Sequence, residues 1–65
     1  MKNSIKQRRK EMQLSQDELS KLAKVSRQTI NAIENNKYDP SLKLAFQLAA
    51  ILRVRIDMLF TWDGK

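Results

Sequence analysis

Two helix starts written close together, at Ser15 and Ser26, constrain this chain more than any other feature. Ser15-Gln16-Asp17-Glu18 has the form of a capping box. In that motif a serine hydroxyl accepts from the backbone amide three residues on, and the glutamate carboxylate reaches back to the serine amide. Ser26 supplies a second N-cap immediately before Arg27. Only Lys24-Val25-Ser26 separates the helix that opens at Gln16 from the helix that opens at Arg27, so the spacing predicts a tight pair of helices across a short turn. Leu19, Leu22 and Ala23 would form the inner face of the first, and Ile30 and Ile33 that of the second. Asn35-Asn36 ends the second, because Asn tolerates a left-handed backbone better than most residues.

The remaining segments read as helices around this pair. A helix over Ser4–Met12 places Ile5 and Met12 on one face. Asp39-Pro40-Ser41 opens a further helix, with either Asp39 or Ser41 as its cap. Its inner face is Leu44, Ala45, Leu48, Ala49 and Leu52. A short helical turn follows over Arg55–Phe60, with Ile56 and Leu59 inward, and Phe60-Thr61-Trp62 reads as extended. There is one Gly and one Pro, and no alternating β-branched run. The expectation is one compact five-helix, all-α domain over residues 1–65, its helix-turn-helix unit at about 15–35, with a short extended segment at the C-terminus.

Composition narrows the function. A domain of 65 residues buries only about 60% of its unfolded surface, so its stability is marginal. Cys and His are both absent. No disulfide, thiolate or imidazole metal site, or histidine base is available, and no nucleophile–base pair or Gly-rich phosphate loop can be assembled. An enzyme, a metal and a cofactor are therefore not expected. The formal net charge is +6, and five of the 13 Lys and Arg residues lie within residues 1–10 with no acid among them. Such an excess favours a polyanionic partner. No apolar run approaches the roughly 20 residues that span a bilayer, and no signal peptide is evident, so a cytoplasmic protein without a membrane partner is expected.

The helix opening at Arg27 directs Arg27, Gln28, Asn31 and, at one edge, Thr29 away from its apolar face. Arg forks to guanine, and Gln or Asn pairs bidentately with adenine. These four side chains on a braced, exposed helix are suited to reading base edges in a major groove. A merely solvated polar face is the plainer alternative.

The stretches Leu14-Ser15-Gln16-Asp17-Glu18-Leu19, Val25-Ser26-Arg27-Gln28-Thr29-Ile30-Asn31-Ala32-Ile33-Glu34 and Lys37-Tyr38-Asp39-Pro40-Ser41-Leu42 together resemble the phage-repressor and Cro-like (XRE) helix-turn-helix family. The chain looks most like its small stand-alone bacterial transcriptional regulators. The resemblance implies a lambda-repressor-like fold, with Arg27 and Gln28 reading bases and Asn31 reading a further base one turn on. It implies that Ser26 and Thr29 touch a thymine methyl or a phosphate. Gln16 would hold a backbone phosphate, and Asn36, Lys37, Tyr38, Ser41 and Lys43 would form a second phosphate clamp. It also implies an ion pair between Arg9 and Glu34 that is structural, so Arg9 is not counted as a DNA contact. The family usually carries glycine where this chain has Lys24, Asn36 and Arg53, so left-handed backbone is expected at all three. Arg55 stands where a Ser or Thr cap is common, which predicts a weakly formed fifth helix.

One such helix reads about four base pairs, and a mismatch costs only about 1–3 kcal/mol, so a homodimer on a palindromic operator is expected. Phe46, Ile51, Met58, Phe60 and Trp62 exceed what one small core absorbs and are the candidate dimer interface. The competing reading keeps Phe60 and Trp62 on the domain's own core. Repression is the default role for so short a chain, with no small-molecule ligand. The alternatives are an antitoxin-type or adaptor protein whose main partner is another protein, and a non-specific DNA binder.

Overall fold

The computed structural model describes residues 1–62 and Gly64. In chain order the elements are β1 (Lys2–Asn3), α1 (Ile5–Glu11), α2 (Gln16–Ala23), α3 (Arg27–Glu34), α4 (Leu42–Ile51), α5 (Ile56–Leu59) and β2 (Phe60–Thr61). The expected five-helix, lambda-repressor-like domain is present. Its last expected positions, Asp63 and Lys65, lie outside the described residues.

Local chemistry accounts for the helix starts. Ser15 Oγ accepts from the Glu18 amide at 2.9 Å while Glu18 Oε1 accepts from the Ser15 amide at 2.9 Å, completing the capping box. Ser26 Oγ accepts from the Thr29 amide, and Ser41 Oγ from the Leu44 amide, each at 3.1 Å. Ser41 is thus the cap of α4. Asp39 instead accepts from the Met1 amino group at 3.1 Å.

Each of the first four helices ends the same way. Gln13, Lys24, Asn36 and Arg53 all take positive φ, between 56° and 60°. After each of them the next amide returns five residues: Leu14 N–H donates to Arg9 C=O, Val25 to Ser20, Lys37 to Ala32 and Val54 to Ala49, at 2.9–3.0 Å. These are Schellman closures, which satisfy helix-end carbonyls that would otherwise be unpaired. The three left-handed positions expected from the sequence are found. Gln13 is a fourth that was not foreseen; it closes α1 directly after Met12, the C-cap residue.

The core is Ile5, Leu19, Ala23, Ile30, Ile33, Leu44, Ala45, Leu48, Ala49, Leu52, Leu59 and Phe60. Three expectations need correction here. Met12 is exposed, because α1 stops at Glu11 and the inner position one turn after Ile5 is taken by Arg9. Leu22 is 56% exposed, because α2 turns Leu19, Ser20 and Ala23 inward and Leu22 lies outside that stripe. The buried Ser20 hydroxyl is satisfied by donating to Asp17 C=O at 2.7 Å. Phe60, placed at a dimer interface by the sequence, is only 9% exposed and belongs to the domain's own core.

The extended segment at Phe60 has an unforeseen partner. β1 and β2 pair antiparallel, with Lys2 opposite Thr61 and Asn3 opposite Phe60. This pairing brings the two ends of the described chain together and carries Phe60 onto the core. α5 is a four-residue turn. Arg55 precedes it without a side-chain cap and instead forks onto Asp57 at 2.9 and 3.0 Å.

Candidate nucleic-acid interface

The sequence of α3 divides the helix into two faces. Ile30 and Ile33 are buried against the core, whereas Arg27, Gln28 and Asn31 are exposed. Among the described residues no side-chain hydrogen bond or ion pair engages Arg27 or Gln28. Asn31 takes part only through its backbone carbonyl, which accepts from Asn35 Nδ2 at 2.8 Å. These polar groups are therefore free to bond elsewhere. Thr29 is half-buried at the edge, and its hydroxyl lies 2.9 Å from the Ser26 hydroxyl.

The other end of α3 is tied down. Arg9 Nε donates to Glu34 Oε2 at 2.8 Å and Arg9 Nη2 to Glu34 Oε1 at 3.2 Å, a forked pair whose side chains are 9% and 3% exposed. The remaining guanidinium nitrogen of Arg9 donates to Leu14 C=O at 2.9 Å. Gln16 Nε2 adds a third bond to Glu34, at 3.1 Å to Oε1. One carboxylate thus joins α1, the start of α2 and the end of α3. Among the described residues no buried side-chain N or O lacks a partner, so the desolvation cost of this cluster is met by hydrogen bonds. Arg9 turns its guanidinium inward. Gln16, read from the family as a phosphate ligand, turns its amide toward Glu34.

The loop from α3 to α4 carries Asn36, Lys37 and Tyr38, all exposed, with the left-handed Asn36 directing the chain away from α3. A shallow depression brings Thr29 together with Tyr38, Ser41 and Lys43, beside Lys24 and Val25. Four of the residues assigned to DNA contact from the sequence therefore share one concave surface at the entry of α3 and α4. Two helix N-termini, those of α3 and α4, have their capped amides in this region, which favours anions.

Of the residues assigned to subunit pairing, Phe46, Met58 and Trp62 are 55%, 58% and 70% exposed, and Ile51 is half-buried. Leu42, one turn before Phe46 on α4, is 70% exposed and was not foreseen as surface apolar. Sequence reading also passed over Asn3, whose side chain touches the end of α3. Its only signal is an Asn shortly before a helix start. No helix among the described residues is long and apolar enough to cross a membrane.

A helix-turn-helix family model matches residues 5–59. A helix-turn-helix-type transcriptional regulator of Methanocaldococcus jannaschii is 51% identical over 63 residues, covering 97% of this chain and 96% of its own length. A similarly described regulator of Archaeoglobus fulgidus is 40% identical over 65 residues, covering 100% and 92%. Among solved structures, the N-terminal DNA-binding domain of SinR from Bacillus subtilis matches with a TM-score of 0.79 at 32% identity, over 94% of this chain and 90% of that one. A chain of a SinR–SinI protein complex matches with a TM-score of 0.81 at 33% identity, over 92% of this chain and 59% of that one.

Proposed function

The chain belongs to the helix-turn-helix family of DNA-binding transcriptional regulators, of the Cro-like (XRE) kind, and on that premise we propose that it binds a palindromic operator as a homodimer and represses from it. Residues 1–65 act as one binding unit, with the helix-turn-helix at about 15–35. In this reading α3 enters the major groove. Arg27 forks to a guanine, and Gln28 and Asn31 meet adenines. Ser26 and Thr29 touch a thymine methyl or the adjoining phosphate. Gln16 on one side, and Asn36, Lys37, Tyr38, Ser41 and Lys43 on the other, hold the backbone and set the register of the base contacts. The observation that carries the proposal is the unengaged start of α3, Arg27, Gln28 and Asn31, on a helix whose far end is fixed by Glu34.

Two-fold pairing follows from the demands of specificity. A second copy doubles the site and sets half-sites about 34 Å apart. The exposed Phe46, Met58 and Trp62 supply apolar surface for it, with Ile51 at their margin and Phe60 withdrawn into the core. The test is selection of bound sequences from random duplexes, followed by affinity for the selected site and for random DNA over a range of salt. A two-fold-symmetric consensus, and a large operator-to-random ratio that survives added salt, support the proposal. Equal affinity for both duplexes, lost together as salt rises, sinks it. Sedimentation reports the oligomer directly, and a monomer that binds only single half-sites removes the homodimer.

A second reading makes another protein the main partner. It is favoured by the likeness to a chain of the SinR–SinI complex and by the apolar residues left exposed on α4 and after β2.

A further inference from the structure

One carboxamide joins parts of the molecule that lie some 30 residues apart in the chain. Asn3 sits in β1 opposite Phe60. Its Oδ1 accepts from the Ile5 amide at 3.1 Å, opening α1 in place of Ser4, whose hydroxyl caps nothing there. Its Nδ2 donates to Ile33 C=O at 2.8 Å, in the last turn of α3, and lies 3.4 Å from Asn36 Oδ1. Asn36 is the left-handed residue at which the chain leaves α3 for Lys37 and Tyr38. A carboxamide alone offers an acceptor and a donor on adjacent atoms at this reach; aspartate keeps only the acceptor and serine is too short to span both.

From this geometry we propose that Asn3 is a positioning residue of the DNA-binding surface. It ties the terminal strand pair to the end of α3 and to the loop that carries Asn36, Lys37 and Tyr38, and it touches no DNA itself. The inference rests on the reading of that loop as a phosphate clamp. A clamp of this kind binds best when its groups are already ordered, because ordering them during binding lowers affinity. Phosphate contacts carry little sequence information, so loosening the loop weakens operator and random DNA alike.

The experiment compares the parent with Asn3→Ser, which keeps an oxygen near the Ile5 amide and removes the long donor. The selected operator and a random duplex are titrated at several salt concentrations, and amide hydrogen exchange is followed at Asn36, Lys37 and the core residue Leu48. The Asn36 and Lys37 amides are hydrogen-bonded to Ile33 and Ala32 carbonyls, so they report the loop. The expected result is faster exchange at those two amides with Leu48 little changed. Affinity should fall about 5- to 10-fold on both duplexes, the size of one or so lost hydrogen bonds. The salt dependence should become shallower by about one phosphate contact.

Unchanged loop exchange, or exchange that rises equally at Leu48, overturns the inference and makes Asn3 an ordinary stability residue. Parent binding with unchanged affinity in the variant overturns it while leaving the DNA-binding reading intact. A parent that binds no duplex removes both. Should Asn3→Ser fail to fold, Asn3→Asp retains the shape and the bond to Ile5, and the same exchange measurement decides.

Discussion

The two ends of α3 are held in opposite ways. At its far end Glu34 accepts two bonds from Arg9 and one from Gln16, and Asn3 donates to Ile33 C=O beside it. At its near end the helix rests on the Ser26 cap and the left-handed turn at Lys24, and Arg27, Gln28 and Asn31 stand in solvent. The contrast shows how so small a domain leaves polar side chains of a fixed helix unengaged. The bonds that fix the helix lie at Glu34, so Arg27, Gln28 and Asn31, the side chains proposed to face a duplex, are not spent on holding the fold. Substitutions at the two ends should accordingly fall on different measurements, stability at one and sequence preference at the other.

The sharpest way to break that division is Glu34→Ala. It leaves the nearly buried Arg9 guanidinium without its carboxylate, and loss of one partner of such a pair costs about 3–5 kcal/mol. Native domains hold only about 5–15 kcal/mol in total, so a urea or thermal melt should show a large share of the margin gone. A loss under about 1 kcal/mol would place the mooring elsewhere.

Next in size is Arg27→Ala, at the opposite end. It should leave the melt within about 0.5 kcal/mol of the parent. It should also remove about 1–3 kcal/mol of operator binding and relax preference at one base pair. Titration against a panel of single-base variants checks this, with Lys37→Ala as the control that weakens every duplex alike. Arg27→Ala acting equally on all duplexes would demote Arg27 to a phosphate contact.

The smallest effect sharpens the comparison from the near end. Lys24 holds φ of 60°, a conformation that is costly for a residue with a Cβ and free for glycine. Lys24→Gly should stabilise the fold by roughly 1 kcal/mol without altering operator preference. A melt with no gain would mean that the turn carries no strain to relieve.

Much of this arrangement was legible in the sequence wherever its cause is local. The capping box at Ser15, the caps at Ser26 and Ser41, and the inner faces of α3 and α4 all depend on groups a few residues apart. The Arg9–Glu34 pair and the left-handed positions at Lys24 and Arg53 came from family likeness rather than from spacing, whereas Asn36 was also marked by the tolerance of Asn for that conformation. Periodicity failed at Met12 because α1 stops at Glu11, and at Leu22 because packing turns Leu19, Ser20 and Ala23 inward and leaves Leu22 to one side of the buried stripe.

By itself, then, the amino-acid order determined where α2, α3 and α4 begin and which faces of α3 and α4 are apolar, because those outcomes are settled by bonds to near neighbours and by side-chain period. Only the tertiary structure decided that Lys2–Asn3 pairs with Phe60–Thr61, that Phe60 belongs to the core, that Gln16 turns to Glu34, and that Asn3 reaches the end of α3. Those contacts join residues distant in the chain. Their geometry exists only once the helices have packed, and no local pattern encodes the distance between groups that packing brings together.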